Sequence, residues 1–561
     1  MKGMLRVATM QFCLPENQLR EAFYKDGLWA QTSIYDEALR TAAHAPDRPA
    51  VRDRHRRLTY AQLLAAADHL AGVLRRRGLK SGDRVAVWLP NRLETIIALL
   101  ACSRNGYICC PSIHRSDTVQ DVLHQLGWVG AAAVINETGF GADARDNDLR
   151  AKLQEMPTPP LICTLQPLTA ANAAERPFAA LERFTPDHDD EQARHTDPNS
   201  LVYIAFTSGT TSEPKGVMHS NNTLLANARG ISRLWSFDPA TVIYTLSPLS
   251  HNLGFGAMVT AISCAGEVVL SSLHRGESLK EDLIRSGATF VYGVPAHAMD
   301  LLQELRGKDN TALKSIRGFR ISGAPVGADV VAELLEHGIT PQKGYGMTEA
   351  CSHHCTLPDD DAETIRTTSG CACPGYEVKI WSQDDPNTEV PLGEEGQIGG
   401  RGASLMLGYY KNPQATQKAF NSSGWFMTGD LGRLDSRKYL RITGRIKDLI
   451  IRGGHNIVPA RIEALAMRHD SVDSAALIPI PDARLGERLC LIVLPRSGCA
   501  YEPNELLQSL ADAGLSKYEM PEFMARVDHM PVTPSGKIIK RSLISAIHDG
   551  ELVATPVAAR P

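Results

Sequence analysis

A glycine, several hydroxyl side chains and a lysine stand close together at Thr207, Ser208, Gly209, Thr210, Thr211 and Lys215. They come directly after the apolar run 201–206, which reads as a buried strand. A loop of backbone N–H groups, hydroxyls and one ammonium, with little side-chain bulk, suits a polyphosphate. It is not a Walker A loop, because Pro214 precedes the lysine and no Gly-Lys-Ser/Thr occurs there.

Four later segments also carry cations, acids and glycines: Gly344-Tyr-Gly-Met-Thr-Glu349, Trp425-Phe-Met-Thr-Gly-Asp430, Gly444-Arg-Ile-Lys-Asp448 and Pro534-Ser-Gly-Lys537. In this order and at these separations they resemble the adenylate-forming superfamily of acyl-CoA synthetases, stand-alone adenylation enzymes and luciferases. The resemblance runs from about Tyr35 to Leu543. It implies a two-step reaction using ATP, Mg²⁺ and a thiol, with CoA as co-substrate. A carboxylate first attacks the α-phosphate and expels pyrophosphate; a thiol then attacks the acyl-adenylate and expels AMP.

The resemblance assigns roles residue by residue. Lys537 would bridge substrate carboxylate and phosphate in the first step, where negative charge concentrates and cations must already be in place. Glu349 would be the magnesium ligand, a hard oxygen for a hard cation. Thr348 and Thr207 would donate to phosphate oxygens, and Tyr345 would stack on adenine. Ser322, Gly323 and Ala324 would offer backbone to adenine and the pocket floor. Asp430 would accept from both ribose hydroxyls, a match of carboxylate to cis-diol. Arg445 would hold ribose or phosphate with its rigid fork. Lys537 must leave before a thiol can enter, so Lys447 would be the hinge about which a small C-terminal domain rotates. Two departures stand out. Ser212 occupies a position usually held by glycine, and Arg461 one usually held by an acid.

The acyl pocket implied by the resemblance is lined by His251, Asn252, Phe255, Val294, Gly346 and Met347. No acid lies between Thr245 and Ala265, which disfavours an amino-acid substrate, since a buried ammonium without a partner is costly. His251 followed by Asn252 is similar to two groups. In aryl-acid enzymes the amide meets a ring hydroxyl; in ligases for medium-chain or cyclic acids the histidine gates the thiol tunnel. The expected activity is therefore an AMP-forming acyl-CoA synthetase for an aryl, alicyclic or medium-chain acid. One rival is an adenylation enzyme that loads an acyl carrier protein. Another is a non-catalytic scaffold, against which the joint presence of Lys537, Glu349, Asp430 and Arg445 speaks.

The 561 residues are too many for one core. The net charge of −4 gives no reason to expect nucleic-acid binding, and no apolar run is long enough to span a membrane. Twelve cysteines behind a poor signal peptide point to reduced thiols in the cytoplasm. Cys351, Cys355, Cys371 and Cys373 carry soft ligand types, but their spacing matches no common zinc module, so packing or pocket-lining thiols are expected.

These groups must be positioned by an α/β framework. Leu63, Ala67, Leu70 and Leu74 mark a helix from Thr59 to Gly78, with a strand at 85–89 and a helix at 94–102. Apolar runs at 241–255, 263–270, 288–292 and 318–321 read as parallel strands with helical crossovers, and the acidic stretch 187–199 as a connector. After residue 446 come a helix (459–468) and strands (475–479, 490–494), enough for a separate core, with a frayed tail at 554–561. The expected architecture is a large N-terminal region (1–446) of several subdomains with parallel and mixed sheets, then a small mobile α+β domain (447–561).

Overall fold

The computed structural model describes residues 15–156, 158–178, 194–195, 197–207, 215–274, 276–307, 313–324, 326–453, 455–533 and 537–557. Ser208, Gly209, Thr210, Thr211 and Ser212 of the phosphate loop lie outside them, as does most of the acidic connector. The chain divides into two compact units, one of Met1–Glu377 with Gly400–Phe420 and one of Val378–Gly399 with Asn421–Pro561.

The first unit holds two large mixed sheets. In one, six parallel strands run in the order Pro49–Arg52, Glu267–Leu270, Val242–Thr245, Phe290–Gly293, Gly318–Ile321 and Thr340–Met347. Antiparallel strands extend both edges: Arg57–Thr59 on one side, Cys351–Cys355 and Cys371–Ala372 on the other. Side chains alternate across each strand. Phe319 and Ile321 face one apolar core with Leu283, Leu301 and Leu334 of three crossover helices. Tyr292 faces the other core, with Leu225 and Phe255 of the helices Asn221–Leu234 and Asn252–Ser263. Helices on both faces explain why these strands read as continuous apolar runs.

The second sheet of this unit orders Gly408–Tyr409, Lys215–Ser220, Leu201–Thr207, Ile108–Cys110, Arg84–Trp88, Ala131–Glu137 and Leu161–Leu165. Its strand Leu201–Thr207 is the buried strand that the apolar run 201–206 predicts. The helix Tyr60–Arg76 begins where Thr59 accepts from Gln62 N–H and Gln62 caps in return.

In the second unit the hairpin Val472–Asp482 and Gly486–Pro495 has a core on each face. The helices Pro459–Ala466, Pro503–Asp512 and Lys540–His548 complete an α+β unit. Two expectations need correction. The run 241–255 is a strand only over Val242–Thr245; from Asn252 it is helix, because its apolar residues there fit either period over so short a stretch. The tail is not all frayed: Thr555–Pro556 pairs with Phe523 and Met524, and Val557 N–H donates to Glu522 O.

Candidate active site

The residues of the first unit expected on the nucleotide side start from the strands Leu201–Thr207 and Lys215–Ser220. Thr207 pairs with Lys215 across the Leu201–Thr207 and Lys215–Ser220 strands, so both ends of the phosphate loop are pinned to the sheet. The Lys215 ammonium lies 5.0 Å over the Tyr409 ring. Tyr409 in turn donates its phenol to Glu349 Oε1 at 2.8 Å. Burial, then the Glu349 charge, push that phenol far above its ordinary range, so it remains a donor. Glu349 Oε2 takes no hydrogen bond from a described residue.

The peptide before Glu349 is held just as firmly. His219 Nε2 meets Thr348 O at 2.8 Å, which requires the Nε2–H tautomer because a carbonyl only accepts. Burial pulls His219 down to about 4, so the ring is neutral at pH 7. Asn252 Nδ2 donates to the same carbonyl at 3.5 Å. The glycines of the Gly344–Glu349 segment have steric reasons. A Cβ on Gly346 would lie 2.0 Å from Cys351 O, and one on Gly344 2.8 Å from Arg320 Nη2. Ser322 Oγ donates to Gly344 O at 3.1 Å, tying the segment that includes Gly323 and Ala324 to the same strand. Tyr345 is buried, edge-on to the His353 ring at 4.9 Å.

On the acyl side, Phe255 stacks on Tyr203 at 4.1 Å, and Tyr203 donates its hydroxyl to Asn252 Oδ1 at 3.0 Å. The Asn252 amide is thus engaged by Tyr203 and Thr348. His251 stacks on His114 at 4.2 Å, and His114 Nδ1 lies 3.0 Å from Ser250 Oγ. Burial, then the neighbouring ring, pull His251 down to about 4, so it too is neutral at pH 7. Its buried Nε2 has no hydrogen-bond partner. Val294 and Met347 sit at strand ends, Val294 buried and Met347 paired with Cys351.

Two of the expected groups pair in the second unit, and a third lies within their electrostatic influence. Asp430 and Arg445 face each other across the hairpin Phe426–Leu434 and Leu440–Arg445, with Arg445 Nε 2.5 Å from Asp430 Oδ1. Lys537 sits within their field. Partial removal from water, then the positive Arg445, hold its ammonium below the usual lysine range; Asp448 and Asp430 act in the opposite direction. Its backbone is fixed by Thr533, whose N–H donates to Lys537 O at 2.8 Å while its Oγ1 accepts from Lys537 N–H at 3.1 Å. Lys447 is exposed in the single 3-10 turn Ile446–Asp448. Arg461 pairs with Glu519 at 2.8 Å.

His219, Tyr409, Tyr203 and His114 escaped the sequence reading. None has a spacing signature, and each acts through a partner far away in the chain. Cys351, Cys355 and Cys373 are buried and Cys371 is half-buried. Among the described residues, no three histidine, cysteine or acidic side chains come together to hold an ion.

The chain matches the AMP-binding enzyme family over residues 39–410 and the AMP-binding enzyme C-terminal domain over residues 461–537. It is 32% identical to a medium-chain fatty-acid–CoA ligase of Escherichia coli, over 96% of this chain and 94% of that one. It is 30% identical to a feruloyl-CoA synthase of an Amycolatopsis species, over 90% and 96%. Its fold is similar to that of ATP-bound MatB from Rhodopseudomonas palustris, with a TM-score of 0.78 and 27% identity over 92% of this chain and 99% of that one. The chain belongs to the AMP-binding enzyme family. It is an ATP-dependent acid–CoA ligase that works through an acyl-adenylate.

Proposed function

We propose that this ligase activates an aryl, alicyclic or medium-chain acid, with ATP and magnesium at Glu349 and with CoA as acceptor. The observation that carries the acid class is the apolar segment around Phe255, stacked on Tyr203, with no carboxylate between Thr245 and Ala265 to pair with an ammonium. Names of relatives that act on medium-chain and feruloyl acids support the same class.

Each chemical demand has a candidate in this chain. Lys215 and Thr207 hold phosphate oxygens beside Glu349, whose Oε2 is open to a hard cation. Magnesium there would neutralise phosphate charge. Asp430 takes the ribose diol while Arg445 and Lys537 supply cations. An ammonium near Arg445 and Asp430 suits the carboxylate–phosphate encounter, where negative charge concentrates. The carboxylate oxygen bonds to the α-phosphorus as the bond to pyrophosphate breaks. The CoA sulfur then bonds to the carbonyl carbon, its proton is lost, and the bond to AMP breaks. The neutral His251 is placed to accept or orient at its unpartnered Nε2. Residues 447–561 form the domain that reorients between the steps, about Lys447, and the reaction belongs to the cytoplasm.

ATP–pyrophosphate exchange over a panel of acids tests the class, followed by thioester formation with CoA and with a carrier protein. Aryl, alicyclic or medium-chain acids should support exchange and free amino acids should not. An α-amino acid outperforming all of these would overturn the reading.

A further inference from the structure

His114 has no part in either chemical step, yet its place is tightly built. It follows the strand Ile108–Cys110 of one sheet, whereas Ser250 and His251 follow the strand Val242–Thr245 of the other. Both strands run parallel to their neighbours, so the two histidines stand beyond the carboxyl ends of parallel strands, where open α/β sheets carry their sites. The His114 backbone is held on both sides. Its N–H donates to Asp117 Oδ2 at 2.8 Å, an oxygen that Gln125 Nε2 braces at 3.2 Å. Its carbonyl accepts from the Trp88 indole N–H at 2.9 Å. Its ring is held too, with Nδ1 3.0 Å from Ser250 Oγ.

His251 has a fixed backbone but a ring without such anchors. Its N–H donates to Pro248 O at 3.0 Å, and its carbonyl accepts from Phe255 N–H at 2.9 Å as the helix begins. No hydrogen bond from a described residue reaches the ring. The directional contact that sets its plane is the stack on His114, with centroids 4.2 Å apart and planes 13° from parallel. Burial pulls both rings down to about 4, so at pH 7 they stack without repulsion between like charges. An imidazole free to turn about its side-chain bonds presents its nitrogens in several directions, and ordering it during reaction costs entropy. A flat neighbour that is itself clamped orders the ring beforehand.

We propose that His114 is the positioning residue for His251 in the thioester-forming step, its clamped ring holding the His251 imidazole in one orientation for the entering CoA thiol. The proposal rests on the reading that His251 serves this step, and it deepens that reading.

The full chain is tested in single turnover with preformed octanoyl-adenylate or benzoyl-adenylate and CoA, beside adenylation of the same acids. His251→Ala should slow thioester formation by about a hundredfold, in the range of a lost proton-handling group. His114→Ala should slow it by about tenfold, the upper range for an aromatic pair, and leave adenylation within about twofold. His114→Phe keeps a flat ring and should stay within about threefold of the parent chain, whereas His114→Asn keeps a polar partner for Ser250 without a ring and should behave as the alanine variant. The double variant should be no more than about twofold slower than His251→Ala alone, because a residue that acts through His251 has nothing left to position. The ring signals of His251 in histidine-labelled protein give a readout free of any acid: the upfield ring-current shift should vanish in His114→Ala and persist in His114→Phe. Equal losses in both steps, no rescue by phenylalanine, or full additivity in the double variant would overturn the proposal. A His251→Ala chain with normal thioester formation would overturn the His251 reading as well. Failure of the parent chain with both adenylates would count against the acid class, while the His251 ring signal still decides whether His114 holds the ring.

Discussion

At the residue scale, the groups that matter are defined by what they touch. Lys537 is held near Asp430 and Arg445 by its Thr533 clasp, which suits the adenylation step and has no evident use once AMP is the leaving group. Lys537→Ala is therefore expected to abolish pyrophosphate release from acid and ATP. Thioesterification of preformed adenylate should persist in single-turnover assays. Asn252 gives a sharper discrimination. Its amide is engaged by Tyr203 and by Thr348 O, rather than held free for a ring hydroxyl. Asn252→Ala should weaken adenylation by about tenfold through the loosened Thr348–Glu349 peptide, a loss of about 1.4 kcal/mol. The preference between hydroxybenzoate and benzoate should stay the same. A large swing in that preference would restore the amide as a hydroxyl reader.

At the scale of elements, two short segments carry testable consequences. The turn Ile446–Asp448 places the exposed Lys447 between the strands Leu440–Arg445 and Ile450–Arg452. Proline there fixes φ and resists reorientation, so Lys447→Pro should impair the thioester-forming step far more than adenylation. Equal losses in both would remove the hinge role. The helix Leu93–Asn105 begins with a buried ion network: Glu94 accepts from Arg56 at 2.7 and 2.9 Å and from Arg92 at 2.8 and 3.0 Å. Burial alone would raise the Glu94 carboxyl, but the two arginines outweigh it and hold it at about 2 against an ordinary 4.5. A depressed carboxyl stabilises the fold above its unfolded value, and this contribution is lost as pH falls from about 4.5 through about 2. The shift corresponds to ~3 kcal/mol. Glu94→Gln should lower stability at pH 7 by a similar ~3 kcal/mol, because two buried arginines lose a partner. Denaturant titration at pH 7 and pH 3 should show the variant losing less than the parent chain on acidification.

At the scale of the whole molecule, the twelve cysteines raise the question of a bound metal; among the described residues no three histidine, cysteine or acidic side chains come together. Cys355 and Cys373 share a hydrogen bond, and Cys373 also faces Ser352 O at 3.5 Å. Elemental analysis of chelator-washed protein is expected to find no stoichiometric zinc. One zinc per chain, lost on Cys351→Ser, would contradict this.

The sequence by itself determined the family, the order of the segments and much of the framework. Those signals are local: an apolar run before the phosphate loop, a capping box at Thr59 and Gln62, glycines where Cys351 O or Arg320 leaves no room for a Cβ. Even so, the helix at Asn252 was hidden in an apolar run that fits a strand equally well, and the Thr555–Pro556 strand depends on a partner more than 30 residues away, at Phe523 and Met524. Only the tertiary structure decided which side chains meet. His219 reaches Thr348 across 129 positions, Tyr409 reaches Glu349 across 60, and Arg320 is laid beside Gln342 by strand register. No periodicity within one element encodes these pairings, because they arise from how parallel strands align after their crossovers.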